Sequence, residues 1–253
     1  MSWFEHGDSR IYYEEYGAGE PLLLLPGFSQ SGDDLSALRD ALAARYRVIV
    51  ADLPGSGRSQ PLPRTYTASY YEDDARSFAG LLEHLGVASA YVAGFSDGGE
   101  VALLMAALTP DLTRSAVTWG AAGKISDPDG SLRQVMNSLV DHPIPPLQGY
   151  RDFLVGRYGE ANARAMTQNQ TDGISAVIEA GGELAMAKAE QMTCPVLLIT
   201  GEHDMFAPPT LAEELAVRIP HAETIIVKGA GHDVQNSHPD WLARTILDWL
   251  ERN

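Results

Sequence analysis

The chain has 253 residues, of which 45% are hydrophobic and 21% charged, enough apolar material for one sizeable core. Its 18 Lys and Arg stand against 34 Asp and Glu, a formal net charge of −16 that repels phosphate backbones and anionic headgroups and excludes nucleic acid and membrane surfaces as expected partners. The single cysteine, Cys194, cannot form an intrachain disulfide, residues 1–10 carry no apolar stretch, and the longest apolar run, residues 101–108, falls far short of the roughly 18 residues that span a bilayer; the expectation is a soluble, cytoplasmic protein, monomeric or a small homo-oligomer.

In chain order, residues 11–16 predict an antiparallel edge hairpin ahead of a leucine-rich strand at 21–25. A helix at 34–44, a strand at 46–51, a helix at 71–85 and a strand at 90–94 follow. A helix at 100–108 and a strand at 116–119 close the first half. After residue 192 come a strand at 195–200, a helix at 210–218, a strand at 223–227 and a helix at 241–252. The strands are short apolar runs bounded by Gly, Pro or charged residues, the pattern of strands buried on both faces. The helix at 71–85 repeats Ala75, Phe78, Leu81, Leu82 and Leu85 at spacings of three and four, an amphipathic face made to cover a sheet. Alternating strands and helices predict an α/β fold with a mostly parallel sheet flanked by helices.

Residues 124–192 break the alternation. They show helical patterns interrupted by Pro143, Pro145, Pro146, Gly149 and Gly173, and are too long for a structureless loop. The expected organisation is a core of residues 1–123 and 193–253 with a helical lid at 124–192. Its Met136, Leu139, Phe153, Leu154, Met166 and Met186 suit a surface that packs downwards and lines a pocket, the alternative being a plain helical layer that touches no ligand.

Chemistry concentrates at Gly94-Phe-Ser-Asp-Gly98, a G-x-S-x-G motif between a predicted strand and a predicted helix. A serine on so sharp a turn adopts a strained backbone, tolerated because the flanking glycines carry no side chain. The hydroxyl of Ser96 then projects at the carboxyl end of the sheet, at a helix N-terminus. Such a hydroxyl is a weak nucleophile and needs a base and an orienting acid. Asp204 follows the strand at 195–200 and His232 follows the strand at 223–227, so Ser, Asp and His each end a strand of their own. The rival histidines His6, His84, His142, His221 and His238 sit where solvated or capping roles suffice, and His203, beside the proposed acid, would point away from it; Glu202 and Asp233, the rival acids, would face solvent. The N–H groups of Asp97 and Phe28 are the expected oxyanion donors, the latter in Pro26-Gly-Phe-Ser29, where Phe28 and Ser29 would also touch substrate. The loop Asp52-Leu-Pro-Gly-Ser-Gly-Arg-Ser59 lacks the Lys of a phosphate-binding loop and reads as a structural turn.

From the first strands through Asp52–Ser59 to the closing His232 loop, the chain resembles a lid-bearing α/β-hydrolase. Gly-Phe-Ser-Asp-Gly-Gly (residues 94–99) and the place of the lid resemble the biphenyl hydrolase-like group, which includes valacyclovir hydrolase. The resemblance implies hydrolysis of carboxylic esters, notably α-amino-acid esters, without metal or cofactor, and an aspartate after the nucleophile, here Asp97, that holds the substrate ammonium. Pro26-Gly27 departs from the group's usual His-Gly in the oxyanion loop. Read without the resemblance, Asp97 is equally a carboxylate stabilised at a helix start. The same triad also serves lactone opening, carbon–carbon bond hydrolysis and perhydrolysis, and a binding protein on this fold is the remaining alternative.

Overall fold

The computed structural model describes residues 2–253. Its strands are β1 (Ser2–His6), β2 (Ser9–Tyr16), β3 (Pro21–Leu25), β4 (Arg47–Ala51), β5 (Ala90–Phe95), β6 (Thr113–Trp119), β7 (Val196–Gly201) and β8 (Ala222–Val227). They form one sheet in the order β1-β2-β4-β3-β5-β6-β7-β8. Strands β3 to β8 pair in parallel, while β2 lies antiparallel to β1 and β4. The sequence assigned no element to residues 2–6. As the outer strand of the hairpin, β1 is exposed or half-buried throughout and lacks the apolar run that betrays a central strand.

The period of two sorts the sheet's side chains between two cores. Leu23, Leu25, Ile49 and Val92 face one cluster, whereas Leu22, Leu24, Val48, Val50 and Ala93 face the other. The first is covered by α2 (Tyr70–His84), α3 (Asp97–Leu108) and α7 (Pro209–Arg218) through Phe78, Leu82, Leu103 and Leu215. The second is covered by α1 (Ser36–Ala43) and α8 (Pro239–Arg252) through Leu38, Leu42, Ile246 and Trp249. Leu22 to Leu25 are all at 0% exposure, each contributing roughly 1.5–3 kcal/mol by burial.

Between β6 and β7 the chain inserts α4 (Ser131–Ser138), α5 (Gln148–Tyr158) and α6 (Glu160–Glu179). Met136, Leu139 and Leu154 form a small core of the insert's own, while Met166 and Met186 join the main core. The insert is tied down by Arg157, which donates to both oxygens of Asp34. Tyr158 adds a second tie, donating its hydroxyl to the Ser29 carbonyl at 2.6 Å. No helix among the described residues is long and apolar enough to cross a membrane.

Candidate active site

Helix α3 starts directly after β5, three residues earlier than the sequence suggested, because Gly98 and Gly99 serve close packing there. A Cβ on Gly94 would lie 2.1 Å from the Gly98 carbonyl oxygen, and one on Gly98 would lie 2.4 Å from that of Pro26. Only glycine lets the backbones approach so closely. Ser96 sits between them at φ 51°, ψ −119°, held by its N–H donating to the Trp119 carbonyl at 2.9 Å. This conformation is costly for a residue with a Cβ, and it aims the hydroxyl out of the sheet.

His232, in the loop after β8, places Nε2 3.0 Å from Ser96 Oγ. Its Nδ1 lies 2.9 Å and 3.0 Å from the two carboxylate oxygens of Asp204, in the loop after β7. A carboxylate only accepts, so Nδ1 carries the proton and Nε2 presents its lone pair to the serine hydroxyl. The imidazole is held by the rings of Phe95 and Phe206, both with centroids 4.9 Å away. Asp204 is 4% exposed, and its Oδ1 also accepts the N–H groups of Phe206 and Ala207, both at 2.9 Å. Those bonds fix the carboxylate against the ring. The rival acid Glu202 accepts instead from the Gly229 N–H. Asp233 is exposed and accepts from Gln235 Nε2.

The loop after β3 supplies the facing wall. Gly27 donates to Gln30 Oε1, Gln30 to the Gly27 carbonyl, and Ser29 to Ser56 Oγ. The Phe28 N–H has no acceptor among the described residues, and neither does that of Asp97 in the first turn of α3. Two free donors thus flank Ser96. The loop at 52–59 supports this wall: Asp52 accepts the Gly32 N–H at 2.7 Å and the Arg58 N–H at 2.8 Å, while Ser56 takes the Ser29 N–H. Burial pushes the Asp52 carboxyl up to about 6. Sequence reading treated that loop as a turn and missed its bracing role, which only the tertiary contact reveals.

Ser29, expected to touch substrate, does not line the pocket. It is fully buried at φ 63°, with its hydroxyl 3.1 Å from the Tyr150 hydroxyl and its carbonyl taken by Tyr158. The turn at this residue rotates its side chain inwards, so it shapes the loop instead.

A pocket of ≈ 750 Å³ opens over Ser96, with Phe28, Asp97 and His232 on the core side and Met136, Tyr150 and Phe153 from the insert. On its wall Asp97 accepts from the Tyr71 hydroxyl at 2.9 Å and from Gln170 Nε2 at 3.1 Å. Burial raises the Asp97 carboxyl above its usual range, against the pull of those two donors. Tyr71 and Gln170 carry no motif, and nothing in the sequence marked them. Among the described residues no three His, Cys, Asp or Glu side chains gather as metal ligands do.

Comparison with known proteins agrees with the fold. A family model described as the Alpha/beta hydrolase family matches residues 22–245. The chain is 27% identical to serine hydrolase BPHL of Mus musculus, over 95% of this chain and 83% of that one. It is 25% identical to a thermophilic esterase from Thermogutta terrifontis, with a TM-score of 0.72 over 96% of this chain and 94% of the other. A putative lipase from Acinetobacter baumannii superimposes with a TM-score of 0.82 at 21% identity, over 99% and 90% of the two chains, a likeness of fold alone. With its model covering all but the ends of the sequence, the chain belongs to the alpha/beta hydrolase family.

Proposed function

We propose that the protein hydrolyses carboxylic esters through an acyl-enzyme, with Ser96 as nucleophile, His232 as general base and acid, and Asp204 orienting the imidazole. The observation that carries this reading is the continuous array from Ser96 Oγ through His232 to the buried Asp204. As Ser96 Oγ attacks the ester carbonyl, its proton passes to His232 Nε2. The tetrahedral oxyanion is received by the N–H groups of Phe28 and Asp97; removing one such donor in a serine protease costs roughly 3–4 kcal/mol. Collapse breaks the bond to the alkoxy oxygen, which leaves as the alcohol with the proton from His232. Water, deprotonated by the same nitrogen, then attacks the acyl-enzyme and releases the acid and Ser96.

The helices of residues 124–192 act as the lid over this pocket. Asp97 favours esters whose acyl group carries an ammonium beside the scissile carbonyl, because its carboxylate lies at the pocket wall with no Lys or Arg within ion-pair distance among the described residues. The test is steady-state hydrolysis of phenylalanine ethyl ester together with mass spectrometry of the protein treated with a fluorophosphonate. Turnover, and an adduct on Ser96 absent from Ser96→Ala, are expected. Hydrolysis by Ser96→Ala near the wild-type rate overturns the mechanism. Inertness on esters with turnover of a lactone or cleavage of a carbon–carbon bond replaces the reaction while keeping the triad.

A further inference from the structure

The wall that holds Asp97 carries two more buried groups that ester hydrolysis by the triad leaves unused. Glu100 lies three residues along α3 from Asp97, so both project from one side of the helix, and both line the pocket. Glu100 is 7% exposed. Its Oε1 accepts the N–H groups of Ala122 and Gly123 at 2.9 and 3.0 Å, whereas Oε2 has no partner among the described residues. Gln170, from α6, is 4% exposed and also lines the pocket. Its Nε2 donates to Asp97, and its amide oxygen has no partner among the described residues.

Holding the turn at 122–123 requires one oxygen and no charge; a glutamine would serve equally. A second carboxylate buried near Asp97 costs stability through desolvation and like-charge repulsion, and the unmet oxygens add to that cost. Among the described residues no Lys or Arg lies within ion-pair distance of either carboxylate: Arg64 pairs with Asp74, and the one lysine of the pocket lining, Lys124, has its ammonium 3.6 Å from Glu183. The unmet side-chain atoms on this wall are both acceptors, Glu100 Oε2 and Gln170 Oε1, and they stand beside the carboxylate of Asp97. A ligand that completes this set brings several N–H donors and a positive charge, the description of a primary ammonium with its three donors.

We propose that Glu100 and Gln170 complete, with Asp97, a three-acceptor seat for a primary ammonium on the acyl half of the substrate, which makes both residues specificity determinants. This rests on the reading of the pocket as a site of ester hydrolysis. Burial and the Asp97 charge push the Glu100 carboxyl up to about 7, so an arriving ammonium also displaces a proton held there near neutral pH.

The experiment compares kcat/KM for phenylalanine ethyl ester, its N,N-dimethyl derivative and ethyl 3-phenylpropionate, in the wild type and in Glu100→Gln. The variant keeps an oxygen for Ala122 and Gly123 and puts an amide donor where Oε2 stood. In the wild type the primary amine is expected to be preferred over the dimethyl ester by roughly ten-fold or more, the worth of a charge-assisted hydrogen bond. Glu100→Gln is expected to cut the preference for the amino ester over ethyl 3-phenylpropionate by about ten-fold, and to narrow the gap between primary and dimethyl esters. A purely steric penalty on the dimethyl ester would persist unchanged in the variant and overturn the proposal. So would an equal loss on all three esters, which marks a structural role, or equal wild-type rates on the primary and dimethyl esters, a comparison that needs no variant to fold. A wild type inert on all three esters removes the ester reading itself, an outcome distinct from either.

Discussion

Gln170 reaches from α6 of the insert to the first turn of α3, donating to Asp97 Oδ2 at 3.1 Å, while the Tyr71 hydroxyl donates to Oδ1 at 2.9 Å. The carboxylate is thereby oriented by two neutral donors on opposite sides, and no guanidinium or ammonium of the protein compensates its charge at contact distance among the described residues. Orientation without neutralisation suits a group that meets a cation from outside. It also couples the insert to the pocket wall, since a displacement of α6 releases one of the two restraints.

Asp97→Asn preserves the outline of this side chain and removes its charge. The ratio of kcat/KM for phenylalanine ethyl ester to that for ethyl 3-phenylpropionate is expected to fall about ten- to a hundred-fold, the worth of a charge-assisted hydrogen bond. An unchanged ratio would return Asp97 to a helix-start role, where its carboxylate merely favours the dipole.

The two oxygens of Asp204 divide their work: both face His232 Nδ1, and Oδ1 also accepts two backbone N–H groups. In Asp204→Asn the amide can present N–H to the ring and stabilise the wrong tautomer, so kcat is expected to drop by about 10⁴. His232→Ala is expected to lose at least as much, because it deletes the base outright. Steady-state kinetics on one ester decide it, and full activity in Asp204→Asn would remove Asp204 from the mechanism.

The meeting of Ser96, Asp204 and His232 was legible because each follows a strand whose apolar run is visible, and a parallel sheet brings those three strand ends to one edge. The parallel core was legible for the same reason, with Leu22 to Leu25 announcing a strand buried on both faces. Strand β1 was hidden because an edge strand needs no apolar face. Gln170 lies in mid-helix within a long insert, and Tyr71 looks like another core aromatic; their meeting with Asp97 is a tertiary fact with no local signature. Ser29 follows Phe28 directly, but its positive φ turns its side chain away from the pocket that Phe28 lines, which the sequence does not show.

Ser96 holds φ 51° and ψ −119° in a region that favours glycine. Replacing it with glycine relieves the Cβ strain, an effect of order 1–3 kcal/mol, less the greater chain entropy glycine loses on folding. Ser96→Gly is therefore expected to melt about 2–4 °C above Ser96→Ala, for a net gain near 1 kcal/mol in a chain of this size. Both variants lack the nucleophile, so the comparison isolates backbone strain from chemistry. Equal melting temperatures in calorimetry would mean that the turn stores no strain.

Glu100 offers the sharpest pH-dependent signature, because burial lifts its carboxyl from 4.5 to about 7 with only two backbone N–H groups opposing and Asp97 adding to the rise. A raised carboxyl pKa in the folded state means that the native protein binds the proton more tightly than the unfolded chain. Its stabilising effect is complete below the unfolded value and is lost as pH climbs through about 7. Asp52 and Asp74, both lifted to about 6, follow the same sign, but they are common to wild type and variant and cancel in the difference. Glu100→Gln is expected to match the wild type in stability most closely near pH 4, below the unfolded value. It should become more stable by on the order of 2–3 kcal/mol near pH 8, where the wild type must bury a charge. Thermal or urea unfolding at the two pH values measures this directly. A stability difference that stays constant between them would show that the Glu100 carboxyl is not lifted by its surroundings, and that its unpartnered oxygen is met by solvent.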